Sequence, residues 1–257
     1  QNDMFGLAVV AEDSVVALES VPEWPEDERL RAERDTLGLY LTGHPINAWE
    51  DELANFTQGK IAAVVGELGS PGEQGGGYNG KRKEAVLAGL VVDIQRRGRR
   101  LIFTLDDRSG RIECTLFEEK AARFAHLLVK DKLLVVAGSL SYDDYTEGYR
   151  LSPKEIMEMD EARERFAQRI LLKLSPDTQL DVDGFEGCLE RYRSDEQTAP
   201  GCSIMLRYNN QAARAAITLD RHRVRACSGL IEDLKGLFGP EAVAVHYRRS
   251  AEPAPQY

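Results

Sequence analysis

Metal-binding and membrane-spanning signatures are missing from this 257-residue sequence. It has only four cysteines, none in a CxxC pair, and four dispersed histidines, so we expect no metal site and no cofactor. Scattered cysteines of this kind are typical of reduced, buried thiols in a cytoplasmic protein. No apolar run approaches the roughly 20 residues that cross a bilayer, and no segment resembles a signal peptide. Because the chain begins with Gln1 rather than Met, we expect it to be a fragment of a longer protein.

Positive charge is scarce overall but concentrated in one region. The net charge is −10, and residues 1–70 hold 14 acids against 4 bases. Residues 81–141 reverse this balance, with 13 bases and 8 acids. Because a charged ligand responds to the local field, the acidic total does not exclude nucleic acid as a ligand of this region.

The clearest pattern lies in residues 101–117, LIFTLDDRSGRIECTLF. Two runs of alternating apolar residues flank an Asp-Asp-Arg-Ser-Gly turn, which predicts a β-hairpin with one buried face. Strands over 85–95, 100–106, 111–117, 132–141 and 148–157, with a helix near 118–128, complete the order of a five-stranded OB-fold barrel. Gly89 and Gly138 fall inside these strands, where a small barrel needs bends.

A second folded module is predicted after the barrel. Strands over 169–174, 202–208, 213–219 and 242–247 alternate with helices over 183–193 and 228–238, which gives a βαββαβ order and a small α+β domain. The fold class is therefore multidomain α+β. The predicted segments are a connector at 1–24, a helical connector at 25–68, a Gly-rich flexible loop at 69–80, the barrel at 81–158, a linking helix at 159–168, the α+β domain at 169–247 and a tail at 248–257.

Within the helical connector, we expect one helix from Pro25 to about Leu41 and a second short helix within 46–60. Proline suits the first turn of a helix, and the acids that follow it favour the positive end of the helix dipole. Gly43 and Pro45 are expected to stop the first helix.

Basic residues surround the first predicted barrel strand. In OB-folds the loop between the first two strands helps to line the oligonucleotide groove. The predicted DNA-binding residues are Lys81, Arg82, Lys83, Arg96, Arg97, Arg99, Arg100 and an outward-pointing Phe117. If all seven cations contacted phosphates of a single strand, a plot of the logarithm of the binding constant against the logarithm of the salt concentration would have a slope of about −5. A solvated basic hairpin tip is the alternative, and the opposite loop at 142–149 carries three carboxylates that would repel phosphate.

Two pairs of aspartates, Asp106-Asp107 and Asp143-Asp144, raise the possibility of metal-assisted phosphoryl transfer. Both pairs lie in predicted turns, where an aspartate caps its own backbone. No third carboxylate on a predicted strand of its own accompanies either pair. We therefore interpret both pairs as turn residues and expect no catalytic residue.

The first five residues, Gln1-Asn2-Asp3-Met4-Phe5, have the form of a short linear binding peptide. Burying Met4 and Phe5 in a surface pocket would contribute roughly 3–6 kcal/mol before ordering costs. Such a contact is weak alone and becomes useful through multivalency.

Three segments carry a resemblance to a known family: ERDTLGLYLTGHP at 33–45, TLDDRSGRIECTLF at 104–117 and EIMEMDEARERFA at 155–167. Together they resemble the C-terminal region of the bacterial replicative DNA polymerase III alpha subunit. The resemblance implies that Gln1, Asp3, Met4 and Phe5 bind the beta sliding clamp, that the OB module contacts single-stranded template DNA, and that the domain at 169–247 with its tail docks the tau subunit of the clamp loader. It also implies a nucleoid-associated role in processive replication, with the catalytic aspartates of the polymerase in an upstream domain.

Three alternatives remain open from the sequence. The chain could be an enzyme fragment with its own chemistry, such as a nuclease. It could be an anticodon-type RNA-binding module, since the LDD.SG pattern occurs in other OB modules. It could also be a structural scaffold whose barrel contacts only protein.

Overall fold

The computed structural model describes residues 22–69, 82–144, 147–178, 180–195, 201–210 and 213–248, with the side chain of Asp220 excepted. The predicted clamp-binding peptide, residues 70–80 of the Gly-rich loop and nearly all of the tail lie outside these residues. The chain divides into two units, one up to His44 and one from Pro45 onward. No helix among the described residues is long and apolar enough to cross a membrane.

The first unit contains helix α1 (Glu26–Leu37), which begins after Pro25 with three acids in its first turn. The helix ends at Leu37, four residues earlier than predicted, because Gly38 adopts a left-handed φ of 75°. The Glu33 carboxylate then holds the following loop, accepting hydrogen bonds from Leu41 N at 2.7 Å and Thr42 N at 3.0 Å. Leu30 is the buried residue of this helix.

The second unit contains a closed five-stranded barrel, which confirms the OB-fold prediction. Its strands are β1 (Lys83–Arg97), β2 (Arg100–Asp106), β3 (Arg111–Phe117), β4 (Leu133–Asp143) and β5 (Gly148–Met157), ordered β1-β2-β3-β5-β4. A short helix, α4 (Glu118–Phe124), connects β3 to β4. The inward-facing side chains are buried, as the alternation predicts: Phe103, Leu105, Ile112, Cys114 and Leu116. Gly138 lies at a bulge in β4, where an added Cβ would stand 2.3 Å from the main-chain oxygen of Ser152.

The predicted second helix of the connector is broken into shorter pieces. Residues Pro45–Trp49 form a 3-10 turn, followed by α2 (Glu50–Leu53) and by α3 (Ile61–Leu68), a helix that the sequence analysis did not predict. Ile61 and Val64 of α3 are buried in the same core as the barrel interior. Residues 45–68 therefore pack with the barrel rather than acting as a connector.

Asp107 explains why α3 docks on the barrel. Its buried carboxylate accepts hydrogen bonds from Ser109 N at 2.9 Å and Gly110 N at 3.1 Å, as expected of a turn residue. Its second oxygen accepts from Ile61 N at 2.6 Å, which satisfies a free N–H at the start of α3. One aspartate thus forms the β2–β3 turn and caps a helix that lies 46 residues away in sequence.

The α+β domain follows the linking helix α5 (Met159–Phe166). Its elements are β6 (Ala167–Leu174), α6 (Val182–Arg191), β7 (Cys202–Asn209), β8 (Arg214–Val224), α7 (Ser228–Phe238) and β9 (Val243–Tyr247). The sheet order is β8-β7-β6-β9, with β6 and β7 parallel and the other pairs antiparallel. Both helices pack on one face of this sheet, through Phe185, Leu189, Leu230 and Leu234.

A buried arginine of α5 joins α2 to the α+β domain. Arg163 of α5 donates to both oxygens of Glu52, with Nε–Oε1 at 2.5 Å and Nη2–Oε2 at 2.8 Å, and also donates to Ser228 Oγ at 2.8 Å. The Tyr247 hydroxyl donates to the same Glu52 carboxylate. Burial would raise the pKa of Glu52, but the hydrogen bonds from Arg163 and Tyr247 outweigh burial and leave that pKa lowered.

We expect Asp107→Ala to destabilise the barrel by about 2–4 kcal/mol, because it leaves several backbone donors without an acceptor. Urea unfolding at equilibrium measures this free energy. Asp144→Ala, an exposed change in the other aspartate pair, is the matched control and should change stability by no more than about 0.5 kcal/mol. Equal stability of the two variants would contradict the capping role.

Glu52→Gln should lower the free energy of unfolding at neutral pH by about 3 kcal/mol, because the buried Arg163 loses the carboxylate that it contacts through two nitrogens and keeps only Asp160 as a charged partner. The lowered pKa of Glu52 means that its contribution is present above the unfolded-state pKa and is lost as pH falls through the folded-state pKa. The difference between wild type and variant should therefore shrink when urea unfolding is repeated at about pH 3.5. Glu84→Gln, which removes an exposed ion pair with Lys154, should show neither effect. A pH-independent difference would argue against this assignment.

Candidate nucleic-acid interface

The tip of the β1–β2 hairpin differs from the predicted basic loop. Only Gly98 and Arg99 form the turn, and Gly98 has a φ of 59°, which glycine adopts at little cost. Arg96 and Arg97 end β1 and Arg100 begins β2. The arginines are therefore held by strand pairing and not by a free loop.

Strand register places three of the predicted residues in one row. Arg97 pairs with Arg100, and Arg100 pairs with Phe117 on β3. Directly paired residues lie on the same face of a sheet. The neighbouring pairs, including Leu101 with Leu116, face the barrel interior, so this row lies on the outer face.

The geometry of this row fits a stacking platform beside cations. The Phe117 side chain is 58% exposed, and the Arg100 guanidinium carbon lies 5.4 Å from the centre of its ring. Arg97 is oriented by Gln95, whose side-chain oxygen accepts from Arg97 Nη2 at 2.8 Å. Arg99 is exposed at the turn. An aromatic ring flanked by arginines can accept a base and its phosphate together.

Arg96 has a different environment from its neighbours. It shares a face with Leu101, opposite to that of Arg97, and forms an ion pair with Glu118 at 3.6 Å. Both side chains of this pair are mostly exposed. Arg96 therefore borders the row without belonging to it.

Arg82 and Lys83 lie at the far end of β1 from the arginines. Lys83 begins this strand and Arg97 ends it, which corresponds to about 45 Å of extended chain. Lys83 forms an ion pair with Glu67 at 3.2 Å, and Arg82 is exposed. Lys81 lies outside the described residues. The six predicted cations that the structure describes therefore fall into two separate groups.

Three carboxylates near the outer face are paired with arginines. Arg150 on β5 forms ion pairs with Glu113 at 3.1 Å and with Asp143 at 2.5 Å. Arg111 does the same for Asp106 at 2.7 Å. Asp93, by contrast, accepts a hydrogen bond from Gln95 Nε2 at 2.6 Å. Arg150 has no local signal in the sequence, because the pairing of β5 with β3 that sets it opposite Glu113 is not local. The ion pairs reduce the repulsion of phosphate by Glu113, Asp143 and Asp106.

The tyrosines of the β4–β5 loop have a structural role. Tyr142 and Tyr149 pack edge to face, with ring centres 5.3 Å apart. The Tyr149 hydroxyl donates to the main-chain oxygens at the end of α3, Leu68 at 3.3 Å and Gly69 at 2.9 Å. Tyr145 lies outside the described residues. Of the aromatics considered, Phe117 is thus the one presented on the outer face beside the arginines.

Chemically reactive groups are not assembled in the described part of the chain. No cluster of three or more His, Cys, Asp or Glu side chains there could hold a metal ion. All four cysteines are free thiols. Burial raises the pKa of the Cys202 thiol to about 12 and also raises that of Cys114, which keeps both protonated at neutral pH.

Comparison with known proteins supports the assignment of the barrel. Residues 85–159 match a family model described as an OB-fold nucleic acid binding domain. An engineered OB-fold protein, OBody AM3L15 bound to hen egg-white lysozyme, is a similar solved structure, with TM-score 0.33 and 18% identity over 40% of this chain and 94% of that chain. The match to the family model covers the barrel of this chain.

Two curated relatives are similar to nearly the whole chain. DNA polymerase III subunit alpha of Vibrio cholerae is 36% identical and that of Escherichia coli strain K12 is 38% identical, each over 96% of this chain. The chain spans 21% of the length of these relatives. It is homologous to a segment of DNA polymerase III subunit alpha, which confirms the resemblance noted from the sequence motifs.

Proposed function

We propose that this chain is the C-terminal tethering region of a replicative DNA polymerase III alpha subunit and that its barrel guides single-stranded template DNA. The observation that carries the DNA role is the row of Arg97, Arg100 and Phe117 on the outer face of the barrel. The homology of the chain to the alpha subunit supports the proposal that this row acts within a replicative polymerase. In this role the chain contributes to processive replication and the chemistry takes place elsewhere in the polymerase.

The physical basis is a combination of stacking and charge. Stacking of a base on an aromatic side chain contributes about 1–3 kcal/mol and tolerates any base, which suits a template of arbitrary sequence. Arg97, Arg99 and Arg100 add phosphate contacts within the same short stretch of chain. With three cations rather than seven, we expect a salt slope of about −2 for single strands.

Two further partners belong to the proposal. Gln1, Asp3, Met4 and Phe5 would bind the beta sliding clamp, and the domain at 169–247 would dock the tau subunit of the clamp loader. The homology of nearly the whole chain to the alpha subunit supports both assignments. Several weak contacts on one chain would give durable attachment while each contact stays exchangeable.

The combined change Arg97→Gln, Arg100→Gln and Phe117→Ala should weaken binding of an oligothymidylate by at least tenfold at low salt, because it removes one stacking contact and two cations. The slope of the logarithm of the binding constant against the logarithm of the salt concentration should become shallower by about 1.4. Fluorescence anisotropy titrations at several salt concentrations measure both quantities.

The matched control is Arg191→Gln with Lys235→Gln, which removes two positive charges from α6 and α7 of the α+β domain, outside the barrel. It should leave oligothymidylate binding within twofold of wild type. No loss in the triple variant, or an equal loss in the control, would exclude the outer face as the binding site. Tighter binding of a folded RNA hairpin than of oligothymidylate would favour the anticodon-type alternative.

The change Met4→Ala with Phe5→Ala should abolish capture of purified beta clamp by the immobilised chain, since it removes the two apolar anchors of the peptide. Leu7→Ala with Val9→Ala, just beyond the peptide, is the control and should retain capture. Undiminished capture by the first variant would place the clamp contact elsewhere.

A further inference from the structure

The sheet of the α+β domain has one face that neither α6 nor α7 covers. Both helices pack against the side chains of Ile170, Leu172, Ile204 and Val245. Strand alternation puts the intervening residues on the opposite face. We call this opposite side the open face; its described side chains are Arg169, Leu171 and Lys173 on β6, Ser203, Met205, Arg207 and Asn209 on β7, Arg214, Ala216 and Thr218 on β8, and Ala244 and His246 on β9. Leu171, at the centre of this face, is itself buried.

The open face carries four permanent cations: Arg169, Lys173, Arg207 and Arg214. None of its described side chains is an acid. Within the described part of the chain, no carboxylate lies within ion-pair distance of these four side chains; the Lys173 ammonium reaches only the main-chain oxygen of Glu241, at 3.5 Å.

The charges reinforce one another. Partial burial, together with repulsion from Arg169 and Arg207, lowers the pKa of His246, which lies on the same face. The repulsion indicates an uncompensated positive field across β6, β7 and β9. A field of this kind attracts polyanions.

The surface chemistry argues against a folded protein as the occupant. The cores of protein interfaces are depleted of charge and rely on apolar anchors. None of the exposed large apolar side chains of the described residues lies on the open face, and the exposed positions between the cations are small, such as Ala216 and Thr218. A partner that offers phosphates rather than apolar groups fits better.

The open face also differs from the outer face of the barrel, because none of its described side chains is Phe, Tyr or Trp. Single-strand sites combine cations with aromatic platforms for unstacked bases. A duplex keeps its bases stacked internally and offers backbone alone, at one charge per roughly 1.7 Å of axis. The span from Arg169 to Lys173 is about 13 Å of strand, so several duplex phosphates would face it.

We propose that the open face of the α+β sheet binds the backbone of double-stranded DNA without sequence preference, through Arg169, Lys173, Arg207 and Arg214. This gives the chain a second nucleic-acid surface, distinct in ligand from the single-strand row on the barrel. Neither the clamp peptide nor the single-strand role is required for it.

The test uses the 257-residue chain and two fluorescent probes, a random-sequence duplex of about 20 base pairs and an oligothymidylate of similar length. Arg207→Gln with Arg214→Gln should weaken duplex binding at least fivefold at low salt and reduce the duplex salt slope by about 1.8. Binding of the oligothymidylate should stay within twofold of wild type. Arg191→Gln with Lys235→Gln removes equal charge from the two helices of the domain and should leave duplex binding unchanged.

A gain-of-charge variant tests the same claim without removing a native residue. Thr218→Arg, at an exposed position on the open face, should tighten duplex binding and steepen its salt slope by about 0.9. Gly236→Arg adds the same charge on α7, where an added Cβ meets nothing within 4 Å, and should have no such effect.

Unchanged duplex binding in both open-face variants, or equal changes in their controls, would overturn the proposal. It would also be overturned if the double variant kept duplex binding but lost binding of a polyglutamate peptide, since the face would then serve an acidic protein segment. If the triple variant of the barrel row bound oligothymidylate as wild type does, the single-strand role would be excluded. The duplex result would still stand, because the two probes report on separate surfaces.

Discussion

Closure of the barrel between β3 and β5 is the constraint on which the rest of the structure depends. Only two residue pairs make this parallel contact, Glu113 with Arg150 and Cys114 with Leu151. One pair lies outside and is joined by an ion pair, and the other is buried inside. Because closure leaves no free strand edge, it determines for every strand which side chains enter the core and which remain available for binding.

Two carboxylates connect segments of the second unit that are far apart in sequence. Asp107 caps α3, and Glu52 receives the buried Arg163 together with Tyr247. Each contact satisfies polar groups that would be costly to bury alone. The consequence is that residues 45–68 and the linking helix act as parts of one folded unit with the barrel and the α+β domain.

Much of this could be predicted from the sequence, because local alternation carries the information. The strands of the hairpin, the outward direction of Phe117 and the turn role of Asp107 follow from period-two patterning and turn chemistry. Helix α3 was missed because its N-terminal cap is supplied from 46 residues away. Lys83 and Arg97 lie at opposite ends of β1, as the strand predicted over 85–95 already implies, and β1 extends two residues beyond that prediction at each end. The cationic open face was missed because it forms only when strand register brings β6, β7 and β8 together.

The central claim is that the outer face of the barrel, around Phe117, receives single-stranded nucleic acid. Photocrosslinking of an oligothymidylate to the 257-residue chain, followed by mass spectrometry of the peptides, tests it most directly. The account predicts the principal thymine adduct on the peptide that contains Phe117, since that ring is exposed beside Arg100. Adducts confined to Tyr142, Tyr149 or the α+β domain, with Phe117 unmodified, would contradict it.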